Sequence, residues 1–477
     1  MTNGFYKKKL ILFIIILFFL VVVFPVEGFL NQQKLDSNSI DFYQISQKNI
    51  YPNQISNLKN KTTISNSMQP FADYFSISVS IEGDYAIIGE FCGDDNGRKS
   101  GAAYVFKNDG TTWNKQAKLL PSDGRPNDRF GWAVSLSNNY TIIGAYNDDD
   151  NGINSGSAYI FRRDGTTWVQ EAKILPSDGE ANDHFGISVA IDGDYAVVGA
   201  DVSDDNGLNS GSAYIFRRDG TTWVQEAKIL PTDGDIDDEF GLSVSIKDGY
   251  VIIGAPGDDD NSGSAYVFRR DGTTWVQEAK IMASDGTSGD SFGFPVRLYN
   301  DFAIIGSVWN NNNGSAYVFN HNGTNWIEQT KLLASDGAAE DKFGWDISIS
   351  GDYVLIGVPF NDDNVNGVDA GSVYVFKYDG INWNEEAKLL PSDGQAGDGF
   401  GWSVSINGDY ALIGSPWDDD NGKSTGSAYV FKRDGVNWIE QTKLNIKHTI
   451  SRNLNLFERF KNILPLLRIL LQQLNIL

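Results

Sequence analysis

Cysteine and histidine are scarce in this sequence. One cysteine, Cys92, and three histidines occur among 477 residues. A single thiol cannot form an internal disulfide, and a thiolate metal cluster needs several cysteines. The histidines, His184, His321 and His448, are too far apart in sequence to suggest a His-rich metal site. No unique set of catalytic residues is visible, so we expect a protein that is not an enzyme.

Basic residues are also few relative to acidic ones. Lys and Arg number 38 and Asp and Glu number 62, which gives a net charge of −24. A nucleic-acid-binding protein needs a basic face to replace phosphate counterions. The charge balance therefore predicts no nucleic-acid partner and suits a protein that meets cations or basic partners.

The N-terminal segment, residues 1–28, has the pattern of an export signal. Lys7, Lys8 and Lys9 precede an apolar run of 15 residues, Leu10 to Phe24. A transmembrane helix needs about 20 apolar residues, so a cleaved signal peptide is favoured over an uncleaved anchor helix. Both alternatives predict a secreted or cell-surface protein. Four Asn-x-Ser/Thr sequons then become candidate glycosylation sites: Asn60, Asn139, Asn313 and Asn322.

Two further segments flank the central part of the chain. Residues 29–70 are rich in Asn, Gln, Ser and Lys and are interpreted as a polar linker or stalk. Residues 450–477 form an amphipathic C-terminal tail with Leu and Ile at near-helical spacing, interrupted by Pro465. Three interpretations of the tail stay open: a short helix packed on the domain, an interfacial membrane or sorting segment, or a frayed, disordered end. Membrane association through either end of the chain therefore stays open.

A repeated unit fills residues 75–446. Two aromatic landmarks recur seven times in register, which excludes chance. The first is Phe75, Phe130, Phe185, Phe240, Phe292, Phe343 and Phe400, and the second is Trp113, Trp168, Trp223, Trp275, Trp326, Trp383 and Trp438.

Each copy contains four short strand signals separated by turns. In the third copy, Tyr195 to Gly199 is nearly all apolar, and the Arg217-Arg218-Asp219-Gly220 turn indicates a hairpin. Seven units of four antiparallel strands predict an all-β, seven-bladed β-propeller. We expect the first strand, taken as the most apolar, to line the central channel and the polar fourth strand to lie outside. The tryptophans should lock the outer strands in place.

These landmarks resemble the FG-GAP repeat, the unit of integrin α-chain propellers and of many exported microbial proteins. Phe-Gly is literal in six copies, and Gly-Ala-Pro is literal at Gly254-Ala255-Pro256. The resemblance implies a propeller that serves extracellular binding or adhesion. It also implies calcium loops between first and second strands, but here that connection is a short turn such as Asp192-Gly193-Asp194. We therefore do not expect the family's usual calcium site.

Acidic loops between second and third strands should collect on one face of the propeller. The opposite face should carry Arg pairs such as Arg162-Arg163. Asp and Asn are typical turn residues, so turn chemistry is one interpretation of these loops. Calcium binding is a second, because clustered carboxylates need a counter-cation, and direct contact with a basic ligand is a third. The candidate ligands are Asp148, Asp149, Asp150, Asn151, Asp258, Asp259, Asp260, Asn261, Asp418, Asp419, Asp420 and Asn421.

Blade differences indicate where a ligand would bind. Trp309 and Trp417 fall in loops of the acidic face and have no equivalent in the other copies, so they are candidate ligand contacts. Trp132, Trp345 and Trp402 follow the Phe-Gly pair in only three copies. We expect an extracellular protein or glycan ligand. The alternatives are a structural surface or matrix component without a specific ligand and, less favoured, a propeller hydrolase.

Overall fold

The computed structural model describes residues 72–362 and 365–446. The predicted signal segment 1–28, the linker 29–70 and the C-terminal tail 450–477 lie outside these residues. Among the described residues, no helix is long and apolar enough to cross a membrane.

Seven four-stranded antiparallel sheets make up the fold, and each sheet uses four strands that are consecutive in sequence. The prediction of a seven-bladed propeller is confirmed. Blades 1 to 7 are numbered in chain order. Blade 1 has β1 Phe75–Glu82, β2 Tyr85–Glu90, β3 Ala102–Asn108 and β4 Trp113–Leu119; blade 2 has β5 Val134–Ser137, β6 Tyr140–Ala145, β7 Ser157–Asp164 and β8 Thr167–Ile174; blade 3 has β9 Ser188–Asp192, β10 Tyr195–Ala200, β11 Ser212–Asp219 and β12 Thr222–Ile229; blade 4 has β13 Ser243–Lys247, β14 Tyr250–Ala255, β15 Ser264–Asp271 and β16 Thr274–Ile281; blade 5 has β17 Phe292–Tyr299, β18 Phe302–Ser307, β19 Ser315–His321 and β20 Trp326–Leu332; blade 6 has β21 Ile347–Ser350, β22 Tyr353–Val358, β23 Ser372–Tyr378 and β24 Trp383–Leu389; blade 7 has β25 Ser403–Asn407, β26 Tyr410–Ser415, β27 Ser427–Arg433 and β28 Trp438–Leu444.

Tight turns set the register of each blade. Gly193 at φ +57° and Gly220 at φ +64° close the two hairpins of blade 3, at a backbone conformation that other residues rarely adopt. The third and fourth strands carry a bulge, which in blade 3 falls between Ile215 and Phe216. Two acidic-face loops contain a tight turn with left-handed backbone, at Asp258–Asn261 and Asn310–Asn312.

The first strand of each blade is the innermost, as predicted, but the expected reason is wrong. The second strands are the most buried, because every residue of β2 is buried. The first strands alternate, as in β9, where the residues are half-buried and buried in turn. They are innermost because each first strand lies beside the first strands of both neighbouring blades. The polar residues that alternate with the buried ones make these contacts favourable.

The repeated phenylalanines are buried between blades. Phe185 is fully buried in a cluster that contains Ile142 and Ile160 of blade 2 and Val198 and Tyr214 of blade 3. The residue also forms a parallel bridge with Gly156 in the preceding blade. Gly156 has φ +83°, and a Cβ there would lie 2.0 Å from the Phe185 carbonyl oxygen. Only glycine allows this close approach.

The repeated tryptophans pack against the preceding blade. Trp168 of blade 2 lies edge-on to Tyr85 of blade 1, with ring centroids 6.2 Å apart. The same contact joins Trp223 to Tyr140 at 6.0 Å. We expected these rings to hold the outer strand on its own blade, whereas their aromatic partners belong to the neighbour. They therefore tie adjacent blades together.

The ring closes between blade 7 and blade 1 without a shared strand. Ser76 Oγ donates to the Ser427 carbonyl oxygen over 2.6 Å, and the Phe75 amide donates to the Thr425 carbonyl oxygen over 3.1 Å. Trp113 completes the aromatic contacts by packing on Tyr410 at 5.8 Å. The first and last copies thus meet through the contacts that other neighbours make.

Candidate functional site

The acidic loops hold a lysine ammonium. Asp148 is buried, and its Oδ2 accepts hydrogen bonds from Tyr159 Oη and Lys173 Nζ, both at 2.9 Å. Lys173 also donates to Asp123 Oδ2 at 2.8 Å and to Asp150 Oδ2 at 2.5 Å. Burial disfavours the charged lysine, but these hydrogen bonds outweigh that cost and raise the pKa of Lys173.

The arrangement recurs around the ring. In every blade a fourth-strand lysine pairs with loop carboxylates and lies over the ring of a third-strand tyrosine. This repetition makes it part of the architecture. The lysines are Lys118, Lys173, Lys228, Lys280, Lys331, Lys388 and Lys443.

The other two candidate calcium loops follow the same plan. Asp258 accepts from Tyr266 at 2.7 Å and pairs with Lys280 at 2.8 Å, and Asp259 also contacts Lys280, at 3.3 Å. The backbone carbonyl oxygens of Asp260 and Asn261 accept hydrogen bonds from Ser288 Oγ and from the Gly289 amide.

In blade 7, Asp418 and Asp420 share Lys443, each at 2.6 Å. Asp419 accepts the Ser424 amide, and Asn421 is exposed. In blade 2, Asp149 Oδ1 accepts the Asn154 amide at 2.8 Å, and the Asn151 side chain donates to the Pro176 carbonyl. These last contacts are the turn chemistry that the sequence also predicts.

The donor set therefore does not fit a resident calcium ion in the position of the lysine. The carboxylate oxygens that would bind Ca²⁺ are bonded to an ammonium and a phenol. Among the described residues, no group of three or more His, Cys, Asp or Glu side chains has the arrangement to hold a metal ion. Calcium binding stays a prediction.

A second set of repeated carboxyl groups has raised pKa values. Asp183 lies two residues before Phe185, is buried, and accepts the Glu180 amide at 2.7 Å. Burial raises its pKa to about 6. The equivalent groups Asp128, Asp238 and Asp398 are raised to about 6 for the same reason.

The residue that precedes each repeated phenylalanine lies in the connection that leads into the innermost strand, on the acidic face beside the mouth of the channel. All seven have left-handed backbone, which costs roughly 1–2 kcal/mol for a residue with a Cβ. We call these seven residues the mouth ring. They are Tyr74 (φ +53°), Arg129 (+58°), His184 (+57°), Glu239 (+55°), Ser291 (+53°), Lys342 (+61°) and Gly399 (+65°).

The blade 1–3 aromatic cluster lines one side of the mouth. It consists of Tyr74, Phe91, Trp132, Tyr146 and His184, whose successive ring centroids are 5.0–5.4 Å apart. The Arg129 guanidinium lies over the rings of Phe91 and Tyr146, at 5.5 and 5.6 Å. This side of the mouth is therefore aromatic with one cationic group.

The blade 5–7 aromatic cluster lines the other side. It consists of Phe294, Trp345, Phe360, Trp402 and Trp417, all half-buried. Trp402 lies at its centre, 4.5 Å from Trp345 and 4.6 Å from Trp417. Phe294 contacts Trp345 at 6.1 Å, and Phe360 contacts Trp345 at 5.5 Å.

The two tryptophans predicted as ligand contacts differ in their surroundings. Trp417 belongs to the blade 5–7 cluster. Trp309 lies under the ammonium of Lys342, 3.7 Å from the ring centroid. Burial lowers the pKa of Lys342, which Glu340 at 3.0 Å partly offsets. The structure thus brings Trp417, but not Trp309, together with the other aromatic rings.

Acidic groups lie between the two clusters, in blades 3 and 4. Asp201 is buried, and its Oδ1 has no hydrogen-bond partner among the described residues. His184 Nδ1 lies 3.6 Å from that oxygen. Burial and the charges of Asp201 and Asp237 raise the pKa of Glu239 to about 7. This carboxylate arrangement occurs in no other blade of the described chain.

Below the mouth, serine side chains join the innermost strands. Ser78 Oγ accepts the Val134 amide and Ser80 Oγ accepts the Leu136 amide, both at 3.1 Å. Such bonds satisfy the free edge of the neighbouring blade's first strand. The same contact is made by Ser135, Ser137, Ser243, Ser245, Ser348, Ser350 and Ser405.

Blade 5 interrupts this serine pattern. Its corresponding residues are Pro295 and Arg297, and blade 6 carries Asp346 in place of a serine. Arg297 Nη2 donates to Asp346 Oδ1 at 2.8 Å. Asp346 Oδ2 in turn accepts the Val404 amide at 2.8 Å. Burial raises the pKa of Asp346 against the opposing effect of Arg297. One ion pair thus occupies the channel wall.

Sequence reasoning missed most of the mouth. Trp132, Trp345 and Trp402 were identified from the sequence as unusual, but their positions relative to one another were not predicted. The variable residue before each phenylalanine was not identified from the sequence. The available signal was the variation itself. Aligning the seven copies on Phe-Gly shows seven residue types in one column between nearly constant neighbours.

Comparison with known proteins identifies the repeat. The FG-GAP repeat matches seven segments that together cover more than half of the chain: 70–106, 113–161, 168–216, 223–268, 275–319, 326–376 and 383–431. No curated protein matches the chain.

Solved structures resemble the fold at low sequence identity. A protein from Lactobacillus plantarum has a TM-score of 0.51 at 11% identity, over 76% of this chain and 96% of that one. The periplasmic gluconolactonase of Pseudomonas aeruginosa has a TM-score of 0.49 at 14% identity, over 74% and 93%. At 11% identity the first likeness shows the fold alone. The repeat matches are decisive: this chain belongs to the FG-GAP repeat family.

Proposed function

We propose that this propeller is an extracellular binding module whose ligand lies on the channel mouth of the acidic face. The observation that carries the proposal is the mouth ring. Seven positions with the same backbone conformation carry seven different residues. A recognition surface needs such differences, whereas architecture repeats.

Two further features support the proposal. Left-handed backbone at six residues that have a Cβ is strain, and strain of this kind concentrates at functional sites. The mouth also combines half-buried aromatic rings with a few charged groups of both signs, the usual composition of a binding site. Extracellular location rests on the export signal predicted for residues 1–28.

The test compares mouth variants with a matched tryptophan elsewhere. Trp402→Ala and Arg129→Ala change the two sides of the mouth. Trp326→Ala is the control, because Trp326 is also half-buried but begins an outer strand at the opposite face. Binding is measured on a glycan array and on immobilised extracellular matrix proteins, with the melting temperature recorded for each variant.

We expect at least a tenfold loss of affinity in one or both mouth variants and no change in Trp326→Ala. Binding that is insensitive to both mouth variants would contradict the proposal. A chain that binds no probe and assembles into ordered layers would instead support the structural alternative.

A hydrolase is the second candidate, and one observation favours it. Burial and the charge of the neighbouring Asp201 raise the pKa of Glu239 to about 7, and a carboxyl group with a pKa near the working pH suits general acid–base catalysis. Chromogenic glycosides and esters test this function. Activity that follows a group of pKa near 7 and disappears in Glu239→Gln would support it, and no turnover of these substrates would count against it.

A further inference from the structure

We infer that the blade 5–7 aromatic cluster binds a neutral carbohydrate, with the Arg297–Asp346 pair providing polar contacts. This inference rests on the proposed function, because it names the ligand class of the same mouth. It concerns only the half of the mouth built by Phe294, Trp345, Phe360, Trp402 and Trp417.

The aromatic faces point to a ligand with an apolar side. Each of the five rings lies 4.5–6.2 Å from at least one other ring, and all are half-buried, so part of their surface stays open to solvent. Large aromatic rings serve well where one side of a group is apolar and the other is wet. A pyranose ring meets this requirement, because its C–H face packs on an aromatic ring while its hydroxyls stay hydrated.

Polar contacts are available on the channel wall. Asp346 follows Trp345 directly, and Arg297 lies three residues after Phe294. The Arg297 guanidinium bonds to Asp346 and to the Val296 carbonyl, which uses two of its five N–H donors, and its side chain is 33% exposed. Donors therefore remain for a ligand hydroxyl.

Charge decides between neutral and anionic carbohydrates. The chain has a net charge of −24, a value that already counts the lysines paired with its acidic loops. An anionic polysaccharide would be repelled over the Debye length of about 8 Å at physiological ionic strength. A neutral sugar meets no such barrier, so the inferred ligand is uncharged.

The experiment titrates neutral oligosaccharides against the full chain. Cello-, chito-, manno- and xylo-oligosaccharides are the probes, and oligogalacturonate is the anionic comparison. Tryptophan fluorescence and calorimetry report binding. The variants are Trp345→Ala, Trp402→Ala and the conservative Trp402→Phe, with Trp326→Ala as the control and circular dichroism as the check of folding.

We expect at least one neutral probe to bind, with at least a tenfold loss in Trp345→Ala and Trp402→Ala. Trp402→Phe should retain part of the affinity, because a phenyl ring still offers a stacking face. Arg297→Lys should weaken binding by a smaller factor, since it removes planar donors without removing the charge. Trp326→Ala should bind as the wild type does.

Three outcomes would overturn the inference in distinguishable ways. If no neutral probe binds at millimolar concentration, the carbohydrate assignment is wrong. If a non-sugar ligand then binds and this binding is lost in Trp402→Ala, the proposed function is supported without the carbohydrate assignment. If a sugar binds but every mouth variant retains it, both the inference and the proposed function fail. Stronger binding of oligogalacturonate would overturn the charge argument.

Discussion

At the scale of single residues, the lysine of each fourth strand decides how the acidic face is stabilised. Lys173 is 16% exposed in its side chain, and Asp148 is 4% exposed. An ion pair at this depth is costly to break, because one buried charge remains without compensation. A protein of net charge −24 thus neutralises its acidic loops with its own cations.

Removing that cation should destabilise the propeller. We expect Lys173→Met to lower the free energy of unfolding by about 3 kcal/mol, since Asp123, Asp148 and Asp150 lose their shared partner. Lys118→Met is the matched control, because Lys118 pairs with the single, more exposed Asp95. Its cost should be about 1 kcal/mol. Equal losses in denaturant unfolding would contradict the role of the shared cluster.

Adding calcium tests the same loops with an external cation in place of the lysine. The clustered carboxylates predict a calcium-specific rise in melting temperature, whereas the lysine contacts predict little change in the wild type. We expect the rise to be larger in Lys173→Met, because the variant frees carboxylate oxygens for an ion. The measurement compares chelator, calcium and magnesium at fixed ionic strength. A large calcium-specific rise in the melting temperature of the wild type, lost when Asp148, Asp149 and Asp150 are changed to Asn, would instead support a calcium site in the native protein.

Asp183 should give stability a distinctive pH dependence. Its folded pKa of about 6 lies above the usual 3.8, so the folded chain holds its proton more tightly. The resulting contribution of Asp183 to the free energy of unfolding is complete below about pH 4 and is lost as the pH rises to about 6. Asp183→Asn should therefore gain stability relative to the wild type between pH 4 and pH 6.5.

Asp178 is the control with the opposite sign. Its burial raises its pKa, but hydrogen bonds and the charge of Lys228 outweigh burial and lower it. Asp178→Asn should therefore show its full cost above the usual pKa of 3.8 and a smaller cost as the pH falls below that value. Chemical denaturation at four pH values from 3.5 to 6.5 separates the two slopes, and parallel slopes would refute the assignment.

At the scale of elements, the innermost strands explain how seven blades join without covering their edges. Strand edges with free amides invite pairing with other chains. Here the hydroxyl of one blade accepts the amide of the next, as Ser135 does for Ile191. The alternation of the first strand therefore has a different cause from that of an amphipathic surface strand, since its polar side bonds to the neighbouring blade.

The repeated phenylalanine is the apolar counterpart of this joint. Phe185→Ala should lower the free energy of unfolding by roughly 3–5 kcal/mol, because a fully buried ring between two blades leaves a cavity. The exposed Val224→Ala, at 50% exposure in the same blade, should change it by less than about 0.5 kcal/mol. A loss below about 1 kcal/mol for Phe185→Ala in denaturant unfolding would show that the joint relaxes around the cavity.

At the scale of the whole molecule, closure depends on the first and last copies meeting. Charge is compensated locally on both faces, since Arg217 pairs with Glu226 on the face opposite the acidic loops. Long-range electrostatic attraction between the two faces therefore does not stabilise the propeller. Burial of apolar side chains between neighbouring blades stabilises it, and this burial is complete only when blade 7 packs on blade 1.

Deletion of residues 400–446 should leave an open ring. Phe75 would lose Leu412 and Val430 of blade 7, and apolar edges of blades 1 and 6 would be exposed. We expect aggregation and a melting temperature lower by at least 10 °C, measured by light scattering and calorimetry. A monomeric deletion variant that melts like the full chain would show that six blades close by themselves.

The sequence by itself determined the repeat number, the four strands per blade and the face on which the acidic loops lie. Those features follow from local patterns: alternation, Asp-Gly turns and a landmark every 51–57 residues. They could be predicted because each blade solves the same local problem seven times.

Only the tertiary structure decided which side chains meet. Lys173 reaches Asp123 across 50 residues, so the counter-cation that the sequence left open comes from the chain itself. Trp345, Trp402 and Phe360 likewise become neighbours because adjacent blades begin at the same mouth. Contacts between blades depend on the closed ring, and no local pattern encodes distances across it. For the same reason the mouth ring became visible as a surface only when the seven copies were placed in a circle.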